Sequence, residues 1–240
     1  MTICLDFGNT LLKTAIFQGG ELKEIIVLRE DAVFHLQKII EEYHPQNSIL
    51  SSVIDHDVQI DELLKSKTKF HRLSNNSKLP FTIPVGKPET VGADRLAIAA
   101  AAVFLFPNKN SLAIGVGSCI TYNFINQQHE LIGGSISPGM EMRFKAMHHF
   151  TAKLPLVKAD WNVPLVGYDT KTNLQSGVVF GMAKEIDGII DAYSEKYGNF
   201  NVHLTGGDIG LFQCHLKSKI FADPDLIFKG LYAISQINNA

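Results

Sequence analysis

Cysteine is scarce. Cys4, Cys119 and Cys214 have no Cys-x-x-Cys spacing, which fits a reducing compartment and argues against a disulfide framework or a structural zinc site. Histidine also lacks a metal pattern. His148 and His149 are adjacent, so on a helix they point apart. Long apolar stretches are missing as well. The longest, residues 96–106, has 11 residues, too few to span a bilayer. The net charge is -2 and there is no basic run, so neither nucleic acid nor a membrane is an expected partner. No low-complexity segment occurs. No signal peptide precedes the first strand pattern, and a cytoplasmic location is expected.

What is present reads as a soluble globular protein, with 45% hydrophobic and 19% charged residues. At 240 residues there is room for one large domain or two small ones. The most informative segment is Asp6-Phe7-Gly8-Asn9-Thr10, between apolar runs at 1–5 and 11–17 that read as strands. Such a hairpin turn offers backbone N–H groups and small side-chain donors to a phosphate tail. Asp6 is placed to hold Mg²⁺ through water, because Mg²⁺ keeps several waters and takes few protein carboxylates. Lys13, three residues beyond Thr10, can neutralise phosphate charge. The same residues also suit an ordinary hairpin turn.

A second turn repeats the layout. Residues 111–117 form an apolar strand, Ser118 and Cys119 follow, and strands are expected at 120–125 and 130–136. The N-terminus has the same order, with a third strand at 21–28. Repetition suggests a duplicated domain, divided here as 1–110 and 111–240, with a nucleotide cleft between the halves. Gly115 and Gly117 do not make a dinucleotide fingerprint, since a third glycine is missing and a strand follows. Helices are expected at 31–43, 57–66, 96–106, from Gly139 onward, 172–197 and 226–237, and further strands at 48–53, 69–73 and 201–205. Residues 74–91 read as a polar, proline-bearing loop. The 96–106 helix is apolar all round, which marks it as buried.

Before that helix stands Gly92-Ala93-Asp94-Arg95. Arginine near a helix N-terminus opposes the dipole, so Arg95 is a candidate ligand for an anionic substrate. Asp94 can accept a proton from a substrate hydroxyl. Alternatively, Asp94 caps the helix and Arg95 pairs with it.

Taken in order, Asp6-x-Gly8-Asn9-Thr10-x-x-Lys13, Gly92-Ala93-Asp94-Arg95, Gly117-Ser118-Cys119-Ile120-Thr121, Gly133-Gly134-Ser135-Ile136-Ser137-Pro138-Gly139 and Thr205-Gly206-Gly207-Asp208 make the chain similar to the type III pantothenate kinases. The resemblance covers essentially the whole chain. It implies an α/β, actin-like and sugar-kinase-like ATPase fold with two βββαβαβ-type domains, a homodimer, and ATP-dependent phosphorylation of pantothenate, the first step of coenzyme A synthesis. By position it implies that Asp6, Phe7, Gly8, Asn9, Thr10, Leu11, Leu12, Lys13 and Ser118 bind ATP, with Mg²⁺ at Asp6. Gly92, Ala93, Asp94, Arg95 and Thr170 would contact pantothenate, Asp94 being the proton acceptor. Gly133, Gly134 and Gly139 either let backbone approach the ligand or form a turn before a helix. Three positions depart from the family pattern. Gly115 stands where an aspartate usually binds a monovalent cation, Asn123 replaces another aspartate, and Val85 replaces an aromatic residue. A kinase of the same fold for another small hydroxy acid, or a non-catalytic regulator that binds nucleotide or pantothenate, are the alternatives.

Overall fold

The computed structural model describes residues 1–29, 31–84, 86–160, 162–212 and 215–239. Val85 and Cys214 lie outside the described residues. The first sheet is built on β1 (Thr2–Phe7), an apolar strand buried along nearly its whole length. β2 (Leu12–Gln18) pairs with it antiparallel, and β3 (Glu21–Leu28) pairs antiparallel with β2. On the other side β4 (Asn47–Ser52) and β5 (Lys69–Arg72) add in parallel, giving the order β3-β2-β1-β4-β5. The parallel pairs need crossover connections. These are α1 (Ala32–Tyr43), N-capped by the Asp31 carboxylate on the Phe34 N–H, and α2 (Val58–Lys67), capped by Asp57 on the Gln59 N–H. Leu36, Ile40, Ile60 and Leu64 face inward onto Ile3, Leu5 and Phe7.

The second sheet has the same plan. β6 (Ser111–Val116) and β7 (Cys119–Ile125) neighbour each other, β8 (Leu131–Pro138) lies at one edge, and β9 (Asn201–Thr205) and β10 (Phe221–Ala222) add in parallel at the other. The order, β10-β9-β6-β7-β8, is that of the first sheet read in reverse. The repeat expected from the sequence is therefore present in both sheets. It also includes two short elements that the sequence did not disclose, α6 (Ile209–Phe212) and β10. Elements of four and two residues carry no readable period. α4 (Met140–His149) and α5 (Thr170–Tyr197) connect β8 to β9. α5 starts two residues earlier than expected because Asp169 and Thr172 form a reciprocal capping box.

The buried helix α3 (Ala93–Leu105) also starts early, at Ala93 rather than Leu96. Its N-cap is Gly92, so Asp94 is a first-turn residue and not the cap. Residues 96–103 are all buried, but Phe104 and Leu105 emerge at the surface. Within the loop before it, Pro88–Thr90 form one 3₁₀ turn.

Two compact units result. One comprises residues 1–109, 125–133 and 225–240, and the other residues 110–124 and 134–224. The closing helix α7 (Leu226–Asn238) thus belongs with the N-terminal sheet. The reason is backbone-to-backbone packing. A Cβ on Gly230 would stand 1.8 Å from the Ala97 carbonyl oxygen, so only glycine lets α7 lie this close to α3. Tyr232 stacks on Phe17 of β2 with ring centroids 4.6 Å apart.

Candidate active site

In the first unit, β1 ends on Asp6 and Phe7, and the chain reverses through a turn closed by the Gly8 N–H donating to the Leu11 carbonyl at 3.2 Å. Asn9, Thr10 and Leu11 are exposed at its tip. Register places Lys13 directly opposite Asp6 on β2, and Ser51 beside it on β4. Directly paired residues share a face of the sheet, so one carboxylate sits between a cation and a hydroxyl. Phe7 points the other way, fully buried in the core, and meets the His56 ring edge-on at 5.3 Å. His56 is fixed by Ser52 at Nδ1 and Asp61 at Nε2, 3.0 and 2.9 Å away. Of the sequence-predicted ATP residues, Phe7 can therefore contribute only backbone.

Asp6 keeps some solvent contact as a residue, but its carboxyl is crowded by protein. Burial pushes its pKa up, Asp94 pushes it further, and Lys13 and Ser51 pull it back, leaving it at about 6. Asp6, Lys13 and Asp94 thus form one electrostatic group. Asp94 is half-buried in the first turn of α3, and its carboxylate folds back over Gly92: a Cβ there would meet Asp94 Oδ1 at 2.6 Å. Arg95 follows, also half-buried. No group of three or more His, Cys, Asp or Glu suited to a metal exists among the described residues. A pair of coupled carboxylates with no cage fits Mg²⁺ that arrives with waters and phosphate oxygens.

Ser118 and Thr170 belong to the second unit. The turn after β6 is closed by the Gly117 N–H donating to the Cys119 carbonyl at 3.0 Å. Two glycines press against it. A Cβ on Gly139 would lie 2.0 Å from the Gly117 carbonyl oxygen, and the Gly139 N–H donates to the Ser118 carbonyl at 3.0 Å. Gly206, at φ +111°, would place a Cβ 2.1 Å from the Val116 oxygen. Gly139 therefore serves close approach of backbone to backbone, and its space is filled by the protein itself. Gly133, at φ +132°, has open space around it instead. Thr170 is the exposed first residue of α5.

Gly115 is the fifth residue of β6 and pairs with Thr205, the fifth of β9. Asp6 is likewise fifth in β1 and pairs with Ser51, fifth in β4. Gly115 thus holds the place in the second repeat that Asp6 holds in the first. Asn123, the other changed position, is fully buried and donates Nδ2–H to the Ala113 carbonyl at 3.2 Å.

Sequence reading assigned no role to a cluster on the second unit. Glu185 of α5 accepts hydrogen bonds from Ser137 Oγ and Arg143 Nη2, and from the Tyr122 hydroxyl at 3.3 Å. Arg143 Nε donates to the Pro138 carbonyl at 2.8 Å. Burial pushes Glu185 up, but the hydrogen bonds from Ser137 and Arg143 outweigh it and the net shift is downward. Asp208 was also given no role. Burial and the neighbouring Glu141 raise its pKa. Tyr122, Arg143 and Glu185 lie far apart in sequence and outside the motifs quoted above, while Ser137 and Asp208 stand inside two of them without a sign of these contacts.

Chemically, the first unit offers a turn with solvent-exposed tip residues, a cation, and two coupled carboxylates, a set suited to phosphoryl transfer to a hydroxyl. Known proteins agree. Residues 2–192 match the family model described as type III pantothenate kinase. A type III pantothenate kinase of Cytophaga hutchinsonii is 41% identical over 239 residues, covering 99% of this chain and 100% of that protein. One of Bacteroides fragilis strain YCH46 is 39% identical over 240 residues, covering 100% and 99%. Among solved structures, a glucokinase from an Antarctic psychrotroph superposes with a TM-score of 0.55 at 11% identity, covering 98% of each chain. That likeness shows the fold, the actin-like and sugar-kinase-like ATPase architecture. By sequence over its full length, the chain belongs to the type III pantothenate kinase family.

Proposed function

We propose that this protein transfers the γ-phosphoryl group of ATP to the hydroxyl of pantothenate, giving 4'-phosphopantothenate, the first step of coenzyme A biosynthesis. The observation that carries the reading is the grouping of Asp6, Lys13 and Asp94 in one electrostatic cluster beside an open turn, in a chain of this family. The substrate oxygen attacks the γ-phosphorus as the bond to the β,γ-bridging oxygen breaks and ADP departs. Asp94 accepts the hydroxyl proton. Ser118 is assigned to ATP by the family resemblance, and Lys13 and the N–H groups of the 8–11 turn hold the phosphates. Gly8 supports this: its Cβ would meet only the Leu11 carbonyl, at 3.7 Å, so the protein's own packing does not demand glycine there. Asp6 would hold Mg²⁺ through water, and the ion would supply neutralisation of phosphate charge. Arg95 pairs with the pantothenate carboxylate, Gly92 and Ala93 line the same substrate, and Thr170 is assigned to pantothenate by the family resemblance.

The test is a coupled assay with Mg·ATP and pantothenate. Turnover with pantothenate and none with other small hydroxy acids is expected, and absence of any turnover refutes the reading. The same assay addresses the cation. A glycine supplies no side-chain oxygen, so potassium and tetramethylammonium at equal ionic strength should give nearly equal rates. A tenfold rise with potassium, about 1.4 kcal/mol of transition-state stabilisation, would overturn that expectation. The Thr205 hydroxyl, buried and without a hydrogen-bond partner among the described residues, would then be the first ligand to examine.

A cytoplasmic homodimer completes the proposal. Leu165, Val166 and Tyr168, before α5, are 71%, 80% and 81% exposed, a run of apolar surface that a second copy would cover. Sedimentation of the pure protein should give twice the chain mass, and a monomer at micromolar concentration would count against it.

A further inference from the structure

The cluster around Glu185 has a geometric target. Its partners are Tyr122, three residues beyond the 117–119 turn on β7, Ser137 at the end of β8, and Arg143 on α4. Arg143 then bridges to the Pro138 carbonyl through Nε at 2.8 Å. The next residue, Gly139, is jammed against the turn: its N–H bonds the Ser118 carbonyl at 3.0 Å and it has no room for a Cβ beside Gly117. A short chain of contacts therefore runs from the Glu185 carboxylate to the Ser118 backbone.

We propose that Arg143, held by Glu185, is a positioning residue that seats the Pro138-Gly139 backbone against the 117–119 turn and so fixes how that turn receives the ATP phosphates. The proposal rests on the reading of Ser118 as a phosphate ligand. Two features of the network suit the task. Arg143 is planar and presents Nε and Nη2 in a fixed fork, so gripping Glu185 also aims it at the Pro138 oxygen. The carboxylate takes donors from β7, β8 and α4 together, so the strand that leaves the turn, its neighbour β8 and the helix that follows β8 are tied to one point on α5.

Arg143→Lys keeps the positive charge near Glu185 but loses the Nε–H bond to Pro138. It should raise KM for Mg·ATP by about tenfold while KM for pantothenate stays near normal and the unfolding midpoint changes little. Hydrogen exchange should quicken at the Gly139 amide, which reports the seat directly and needs no catalysis. Glu185→Gln, which still accepts hydrogen bonds, should fall between the wild type and Arg143→Lys. Ser118→Ala is measured alongside and should weaken Mg·ATP binding. Weakened binding in Ser118→Ala with normal KM in Arg143→Lys overturns the positioning role and leaves the turn as a phosphate site. Normal binding in Ser118→Ala with a raised KM in Arg143→Lys overturns the route through the turn. No effect in either removes both readings, as equal losses in both KM values remove the positioning role.

Discussion

Asp94→Asn is expected to lower kcat by roughly 10²-fold or more, with little change in ATP affinity. The side chain keeps its size and its place in the first turn of α3, folded back over Gly92. What it loses is the basic oxygen that, in the proposed reaction, takes the hydroxyl proton. Stability changes little, because the helix already has Gly92 as its N-cap and a first-turn carboxylate contributes only about 0.3–1 kcal/mol through the dipole. Steady-state kinetics with saturating Mg·ATP settle the matter. Turnover within a few-fold of wild type would remove Asp94 from proton transfer.

Asp6→Asn has two opposed effects. Transfer should fall at least 100-fold if Asp6 holds Mg²⁺ as proposed. The unliganded protein should become more stable. The carboxyl pKa is about 6 in the folded protein against 3.8 as the ordinary value, raised by burial and by Asp94. The folded state therefore keeps the proton longer than the unfolded chain does. Below the ordinary value both states are protonated and nothing is lost. As pH climbs through that value and past 6, ionisation is penalised only in the folded state, and stability falls. The cost above pH 7 is at most about 3 kcal/mol, and remaining solvent contact brings it below that. Removing the charge should raise the urea midpoint clearly at pH 8, roughly half as much in free energy at pH 5, and hardly at all near pH 4. An unchanged or lower midpoint at pH 8 would show that Asp6 is not strained by its neighbours. The kinetic counterpart is that kcat/KM for Mg·ATP in the wild type declines as pH falls below about 6, as Asp6 takes up its proton.

Much of this was legible in the chain. The hairpin around Gly8 and the strand Glu21–Leu28 announce themselves through runs rich in aliphatic residues bounded by turn residues. The repeated strand-turn-strand order disclosed both sheets. Boundaries failed where the cap was unusual. α3 begins behind a glycine with no side-chain hydrogen bond, and Asp94 imitates the cap that Gly92 provides through backbone alone. Residues acting across distance stayed hidden. Gly139, Gly206 and Gly230 each read as turn or helix glycines, yet each is required by a carbonyl far away in sequence, at Gly117, Val116 and Ala97. Pairing strength between Glu185 and Arg143 is equally invisible to a motif, since 42 positions separate them. The substitution at Gly115 was readable only as a departure. Its meaning, a glycine in the place of Asp6, needed the register of β6 on β9.

The return of α7 to the first unit bears on how the protein is made. Ribosomes add roughly 5–20 residues per second. The side of α3 that receives Gly230 and its neighbours, with residues 96–103 all apolar or alanine, is therefore complete on the order of ten seconds before its cover is translated. Through that interval the nascent chain carries an apolar helix with one flank bare, a surface fit for a chaperone and equally for a neighbouring nascent chain on the same message. The second unit, residues 110–124 and 134–224, lies wholly before α7 in the chain and does not wait for it. The unit synthesised first is the one finished last.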